Sequence, residues 1–204
     1  MLCLPTILFW ATYEQQGNTI ALWADINTDR TIRLFRWSAD IPVTWFQAFN
    51  PFMIFAFTPF IIALWAWQSR RGREPSTLAK MALGCFGVTA ANLILAVAAV
   101  TADADKASWL WLFAYFVVIT IGELYISPIG ISLVSKISPA RTVSLMMGVW
   151  LATSFFGNLL AGVLGSYWSA MDKSAFFLMI AGIAALAGVI IALFRRPLRD
   201  VLEE

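Results

Sequence analysis

The sequence contains no histidine, so the side chain that most often serves as acid-base catalyst or metal ligand near neutral pH is missing. Any proton chemistry has to run on carboxylates. Cysteine is almost as scarce: Cys3 and Cys85 are the two present, each within an apolar stretch, and they give neither a disulfide framework nor a metal cluster anything to build on. Both read as packing residues. Charged residues make up 13% of the chain, against roughly 25% in an ordinary soluble domain. The formal net charge of +2, with basic residues gathered in short segments, argues against a nucleic-acid partner. No glycine-rich phosphate loop and no serine paired with a base at hydrolase spacing is present. The chain therefore reads as a non-enzyme with no metal and no organic cofactor.

What the sequence does have is apolar length: 60% of residues are hydrophobic and the mean hydropathy is +0.77. The apolar residues fall into repeated stretches of about 20 residues, the length a helix needs to cross a bilayer. Six spans can be drawn, over about 2–24, 43–67, 78–100, 109–135, 143–167 and 175–194. They must be helices, because an isolated strand leaves backbone groups unpaired in hydrocarbon and nothing alternates as a barrel strand does. The expected fold is all-α, a single polytopic six-helix bundle over residues 1–204. The opening stretch lacks the basic leader and cleavage pattern of a secretory signal. It reads as the start of the first span, and its abruptness suggests that further sequence precedes it.

Lys and Arg near span ends favour the cytoplasmic side. One set of loops carries Arg70, Arg71, Arg73, Lys80, Lys136, Arg141, Arg195, Arg196 and Arg199. The other carries Arg30, Arg33, Arg36, Lys106 and Lys173, interleaved with acids that include Asp103 and Asp105. The balance places both termini in the cytoplasm and the chain in the cell (inner) membrane. Trp65, Trp67 and Trp168 are among the tryptophans near predicted interfaces, where amphipathic rings settle; Trp10 and Trp150 are not. Gly157, Ala161 and Gly165 recur every fourth position and would let a neighbouring helix approach closely. Pro59 and Pro128 fall inside spans and should bend them.

Glu14 and Glu123 lie near the middle of the first and fourth spans, where an ionisable side chain costs about 2.5–3.5 kcal/mol on insertion scales. Each is either a satisfied polar group or a functional one. A carboxyl group in a poorly hydrated cavity loads and releases a proton as its surroundings change, which suits coupling to a proton gradient. Asn50, before Pro51, can both donate to and accept from a polar ligand. Gln15, Gln16, Asn18, Thr19, Thr153, Ser154 and Asn158 add polar positions on the first and fifth spans. Together they suggest a wet cavity between helices.

The run FWATYEQQGNTIALWADINTDR, which begins at Phe9, resembles the seventh helix of the proton-dependent oligopeptide transporter family, a branch of the major facilitator superfamily. WFQAFNP is similar to the start of its eighth helix, GELYISPIGISLVSKISPAR to its tenth helix and exit, and LMMGVWLATSFFGNLLAG to its eleventh. The resemblance implies the C-terminal half of a major facilitator fold. It implies a proton-coupling role for Glu14, and for Glu123 the site of the peptide's amino terminus. Asn50 would bind the same amine or the peptide backbone, and Trp10, Trp150 and Ser154 would line side-chain pockets. Asn18 stands where many members carry serine. The family's first-helix Glu-x-x-Glu-Arg motif, fourth-helix lysine and fifth-helix signature have no counterpart here, so the chain carries half a site.

The resemblance thus implies a proton-coupled symporter of di- or tripeptides, driven by the proton gradient and working with an N-terminal six-helix half in the lipid bilayer. Two alternatives stand beside it: a truncated membrane fragment that does not transport, and a family relative carrying another small polar solute, since a shared fold says little about cargo.

Overall fold

The computed structural model describes residues 2–34, 37–102 and 106–202. Arg36, Asp103 and Asp105 lie outside them, as do the side chains of Arg33, Arg195, Arg196 and Arg199. The chain runs through α1 (Cys3–Tyr13), a 3₁₀ turn (Glu14–Gly17) and α2 (Thr19–Ile26), then α3 (Val43–Arg70) and α4 (Thr77–Ala102). It continues through α5 (Trp109–Leu124), α6 (Ser127–Ile137), α7 (Val143–Ser166), a second 3₁₀ turn (Tyr167–Ser169) and α8 (Lys173–Leu202). Five segments are long and apolar enough to cross a membrane: Val43–Arg70, Thr77–Ala102, Trp109–Ile137, Val143–Ser169 and Lys173–Phe194. The sixth spanning segment is α1, its turn and α2 taken together.

Two spans that the hydropathy pattern draws as single helices are interrupted. In the first, Gly17 and Asn18 are adjacent poor helix formers, and Asn18 leaves the helical region with φ −117° and ψ −97°. Its amide bonds Gln15 O at 3.1 Å, the tighter 3₁₀ pattern. In the fourth span the break falls at Tyr125 and Ile126. Pro128 has no N–H to continue the ladder, and instead it opens α6, where its fixed φ suits a first turn. Pro59 behaves differently: α3 runs through both Pro51 and Pro59 without interruption.

Helix α4 is the hub, packed on α8 and α5, while α1 packs on α7 and α8, and α3 on α5. Small residues set these approaches, since hydrocarbon gives no hydrophobic drive between helices and close van der Waals contact has to supply the association. A Cβ on Gly84 would meet Gly122 O at 2.6 Å, and one on Gly122 would meet Gly84 O at 2.8 Å. On the α1–α7 seam, Gly157 faces the Trp10 Cβ and the Ile7 carbonyl, and Gly165 faces the Asn18 side chain. The buried core holds Phe9, Trp23, Met81, Leu95, Phe116 and Ile180. By contrast only 6% of the apolar window of α3 is buried, and Phe55 and Phe60 stand 84% and 73% exposed. That face has to be covered by lipid or by other helices.

One end carries structure that hydropathy does not reveal. Strands β1 (Thr28–Asp29) and β4 (Ala107–Ser108) pair in parallel. Between them in sequence, β2 (Thr31–Leu34) and β3 (Trp37–Asp40) pair antiparallel, with Thr31 opposite Asp40. Near this end Trp168 is 5% exposed and turns inward against Trp23, Phe176 and Phe177. At the end of its span the ring packs into an aromatic core.

Candidate functional site

Both intramembrane glutamates stand at the helix interruptions. Glu14 opens the 3₁₀ turn between α1 and α2. Glu123 is the penultimate residue of α5, and its carbonyl accepts from Ile126 N at 2.9 Å where the ladder tightens before the break. Broken helices at membrane depth free backbone polar groups and flexibility where irregular chain is tolerated only around protein or water.

Around Glu123 the polar groups converge. Asn50 Nδ2, on α3, donates to Glu123 Oε2 at 3.0 Å and to Thr120 Oγ1 at 3.2 Å. The Tyr13 hydroxyl lies close to the Glu123 carboxylate and to the side chains of Gln16 and Asn50. Glu14, one residue on, sits within reach of the Asn158 side chain of α7 and near enough to Glu123 to feel its charge. Asn158 Nδ2 also donates to Ser154 O at 2.9 Å. Four elements, α1 with its turn, α3, α5 and α7, thus bring one polar cluster together. Glu14, Glu123 and Asn50 are all half-buried. Among the described residues, the ion pairs are Arg30 with Asp25 and Lys80 with Glu74, so neither glutamate has a cation beside it.

The other candidates occupy different positions. Trp10 is half-buried, edge-to-face with Tyr13 at 5.5 Å, and its buried indole N–H has no acceptor among the described residues. Trp150 is only 6% exposed because its ring lies on Gly130 of α6, where a Cβ would collide with it. Ser154 is half-buried on α7, and its hydroxyl donates to Leu151 O at 2.8 Å.

Three of the polar residues gathered as signs of a wet cavity are not available to line one. Gln15, Thr19 and Thr153 are buried and internally satisfied: Gln15 Nε2 donates to Ala11 O at 3.2 Å and across the seam to Ala161 O at 3.0 Å, while its Oε1 accepts from Thr19 at 2.9 Å. Gln15 is a clamp that ties the interrupted helix to α7. Gln15→Leu is expected to lower stability by about 1–2 kcal/mol, since it takes the acceptor from the buried Thr19 hydroxyl and removes the bond across the seam to Ala161 O. Thermal unfolding of the purified variant checks this, and an unchanged melting temperature would refute the clamp. Sequence reasoning missed Tyr13 and Thr120 as members of the cluster. The signal for Thr120 was its i, i+3 spacing from Glu123 on one helix face, and for Tyr13 its adjacency to Glu14.

The bundle defines a class: a polytopic membrane protein built on the C-terminal half of a major facilitator fold. The family model described as POT family matches residues 1–187, and the chain belongs to that family. It is 29% identical to a di-/tripeptide transporter of Lactococcus lactis over 98% of its own length and 40% of that protein's. It is 31% identical to a peptide transporter of Yersinia enterocolitica, over 82% of this chain and 32% of that one. Among solved structures, a POT family transporter in complex with a thioalcohol-conjugated peptide aligns with a TM-score of 0.87 at 26% identity, over 96% of this chain and 40% of that chain. The chain thus spans about two fifths or less of the relatives it matches.

Proposed function

We propose that the chain forms the C-terminal half of a proton-coupled di- or tripeptide symporter. The observation that carries this reading is the pair of glutamates held at two helix breaks, Glu123 bonded by Asn50 and close to Tyr13, Glu14 within reach of Asn158, with no cation beside either among the described residues. An arriving proton or ammonium group offsets the negative charge of the two carboxylates. Glu123 accepts the peptide's amino terminus, with Asn50 beside it binding the amine or backbone. Trp10 offers an apolar wall to side chains, Trp150 backs the cavity, and Ser154 adds a hydroxyl. Glu14 couples the proton. The N-terminal six-helix half supplies the positive charge for the peptide carboxylate, and the two bundles rock about the midplane. The proton gradient across the cell membrane is the energy source, with no cofactor and both termini cytoplasmic. The peptide-transporting names of the relatives support the cargo.

The test is uptake into proteoliposomes holding this chain together with an N-terminal half, under an inward proton gradient, with dialanine, free amino acids and nitrate as competitors. Dialanine should compete; inhibition by nitrate but not by dialanine would replace the peptide reading with another solute. Glu14→Gln is expected to cut gradient-driven accumulation at least about tenfold, which is about 1.4 kcal/mol of coupling, while peptide exchange without a gradient continues. Full accumulation by that variant would remove Glu14 from the proton path.

A further inference from the structure

At the end of the bundle where α3 closes and α4 begins lies a cavity of about 370 Å³. It is separate from the glutamate cluster: Trp65, on its wall, is 15 residues along α3 from Asn50, about 22 Å at 1.5 Å per residue. Its walls carry Trp65, Glu74, Thr77, Lys80, Ser132 and Lys136. Two lysines face one carboxylate, so the cavity holds a net positive charge.

The chain builds this site deliberately. Gly72, at φ 61°, ends α3 with bonds from Gly72 N to Ser69 O at 2.9 Å and Arg73 N to Gln68 O at 3.0 Å, a Schellman closure. That turn sets the linker so that Glu74 meets the Lys80 ammonium. Lys80, on the first turn of α4, is 8% exposed and stacks its ammonium over the Trp65 ring at 4.4 Å. An ammonium has three donors, and one carboxylate oxygen with one ring face leaves capacity for an anion. Among the described residues, the buried Trp65 indole N–H has no acceptor. The Thr77 and Ser132 hydroxyls and the positive end of the α4 dipole favour the same charge.

We propose that this cavity binds the phosphodiester headgroup of an anionic phospholipid, held between Lys80 and Lys136, with Glu74 as the internal competitor for Lys80. The cavity lies at the end of apolar spans, and Ile137 in its wall is 51% exposed. That surface suits the acyl chains that a free phosphate lacks. Lys80 beside Glu74 holds that carboxyl below the usual carboxylate range, so the competitor is charged at neutral pH. The inference does not rest on the peptide reading.

The test is native mass spectrometry of the full chain in a neutral detergent, offered phosphatidylglycerol or phosphatidylcholine of matched acyl chains. Phosphatidylglycerol should be retained preferentially. Lys136→Gln, which leaves the Lys80–Glu74 contact intact, should weaken that retention about fivefold, as expected for one lysine near an anionic headgroup. Glu74→Gln should strengthen it. Equal retention of the two lipids, or no effect of Lys136→Gln, overturns the site. Displacement of the lipid by millimolar inorganic phosphate, with no dependence on acyl chains, overturns the lipid assignment and leaves a soluble-anion pocket.

Discussion

Glu123→Gln is expected to lower proton-driven dipeptide uptake by about 10- to 100-fold in liposomes carrying both halves, the equivalent of one charge-assisted hydrogen bond of about 1.5–3 kcal/mol. The substitution is nearly isosteric. Asn50 Nδ2 can still donate to the remaining side-chain carbonyl, as it does to Glu123 Oε2 at 3.0 Å, so the α3–α5 contact survives and the loss reports charge. A dipeptide whose amino terminus is acetylated carries no ammonium to pair with Glu123. It should be transported poorly by the parent, and Glu123→Gln should narrow the gap between it and the free dipeptide. Equal uptake of the free dipeptide by parent and variant would take Glu123 out of amine recognition, whatever the fold.

The second large effect is structural. Gly122→Leu is expected to destabilise the bundle by at least about 3 kcal/mol, because overpacking against backbone cannot be relieved by a rotamer change. A Cβ at this position meets Gly84 O at 2.8 Å, Val88 N at 3.2 Å and Gly87 C at 3.4 Å. These are main-chain atoms of α4, the hub of the bundle. For a chain of this size the cost corresponds to a melting temperature lower by roughly 6–12 °C. Gly182→Leu on α8 is the control, since a Cβ there meets nothing within 4 Å, and it should melt with the parent. If the two variants melt together, α4 and α5 are not held by this close approach. The position also bears on the site, because Gly122 immediately precedes Glu123 and any retreat of α5 moves the carboxylate away from Asn50.

Much of this was legible in the chain. Apolar stretches of spanning length place the helices, and Glu14 and Glu123 are conspicuous because charge in hydrocarbon is costly enough to need a reason. The Gly157, Ala161 and Gly165 spacing is a small-residue seam whose partner, α1, only the structure names. Gly84, Gly87 and Gly122 were not legible as a seam, since three glycines on two helices have no joint pattern until the helices are side by side. Hydropathy averages over windows and cannot see that Asn18 leaves the helix or that the chain breaks between Leu124 and Ser127. Nor can it tell Gln15, locked between Ala161 and Thr19, from Gln16, which lies near Tyr13.

The sequence by itself determined that the chain lives in lipid, that its helices carry their own backbone hydrogen bonds, and that, with no histidine present, its candidate proton carriers are carboxylates. Tertiary structure alone decided which polar side chains face one another. Burial and charge compensation depend on neighbours brought from distant positions, as Asn50 is brought to Glu123 and Lys80 is set over Trp65. Periodicity along one helix carries no record of what the next helix presents.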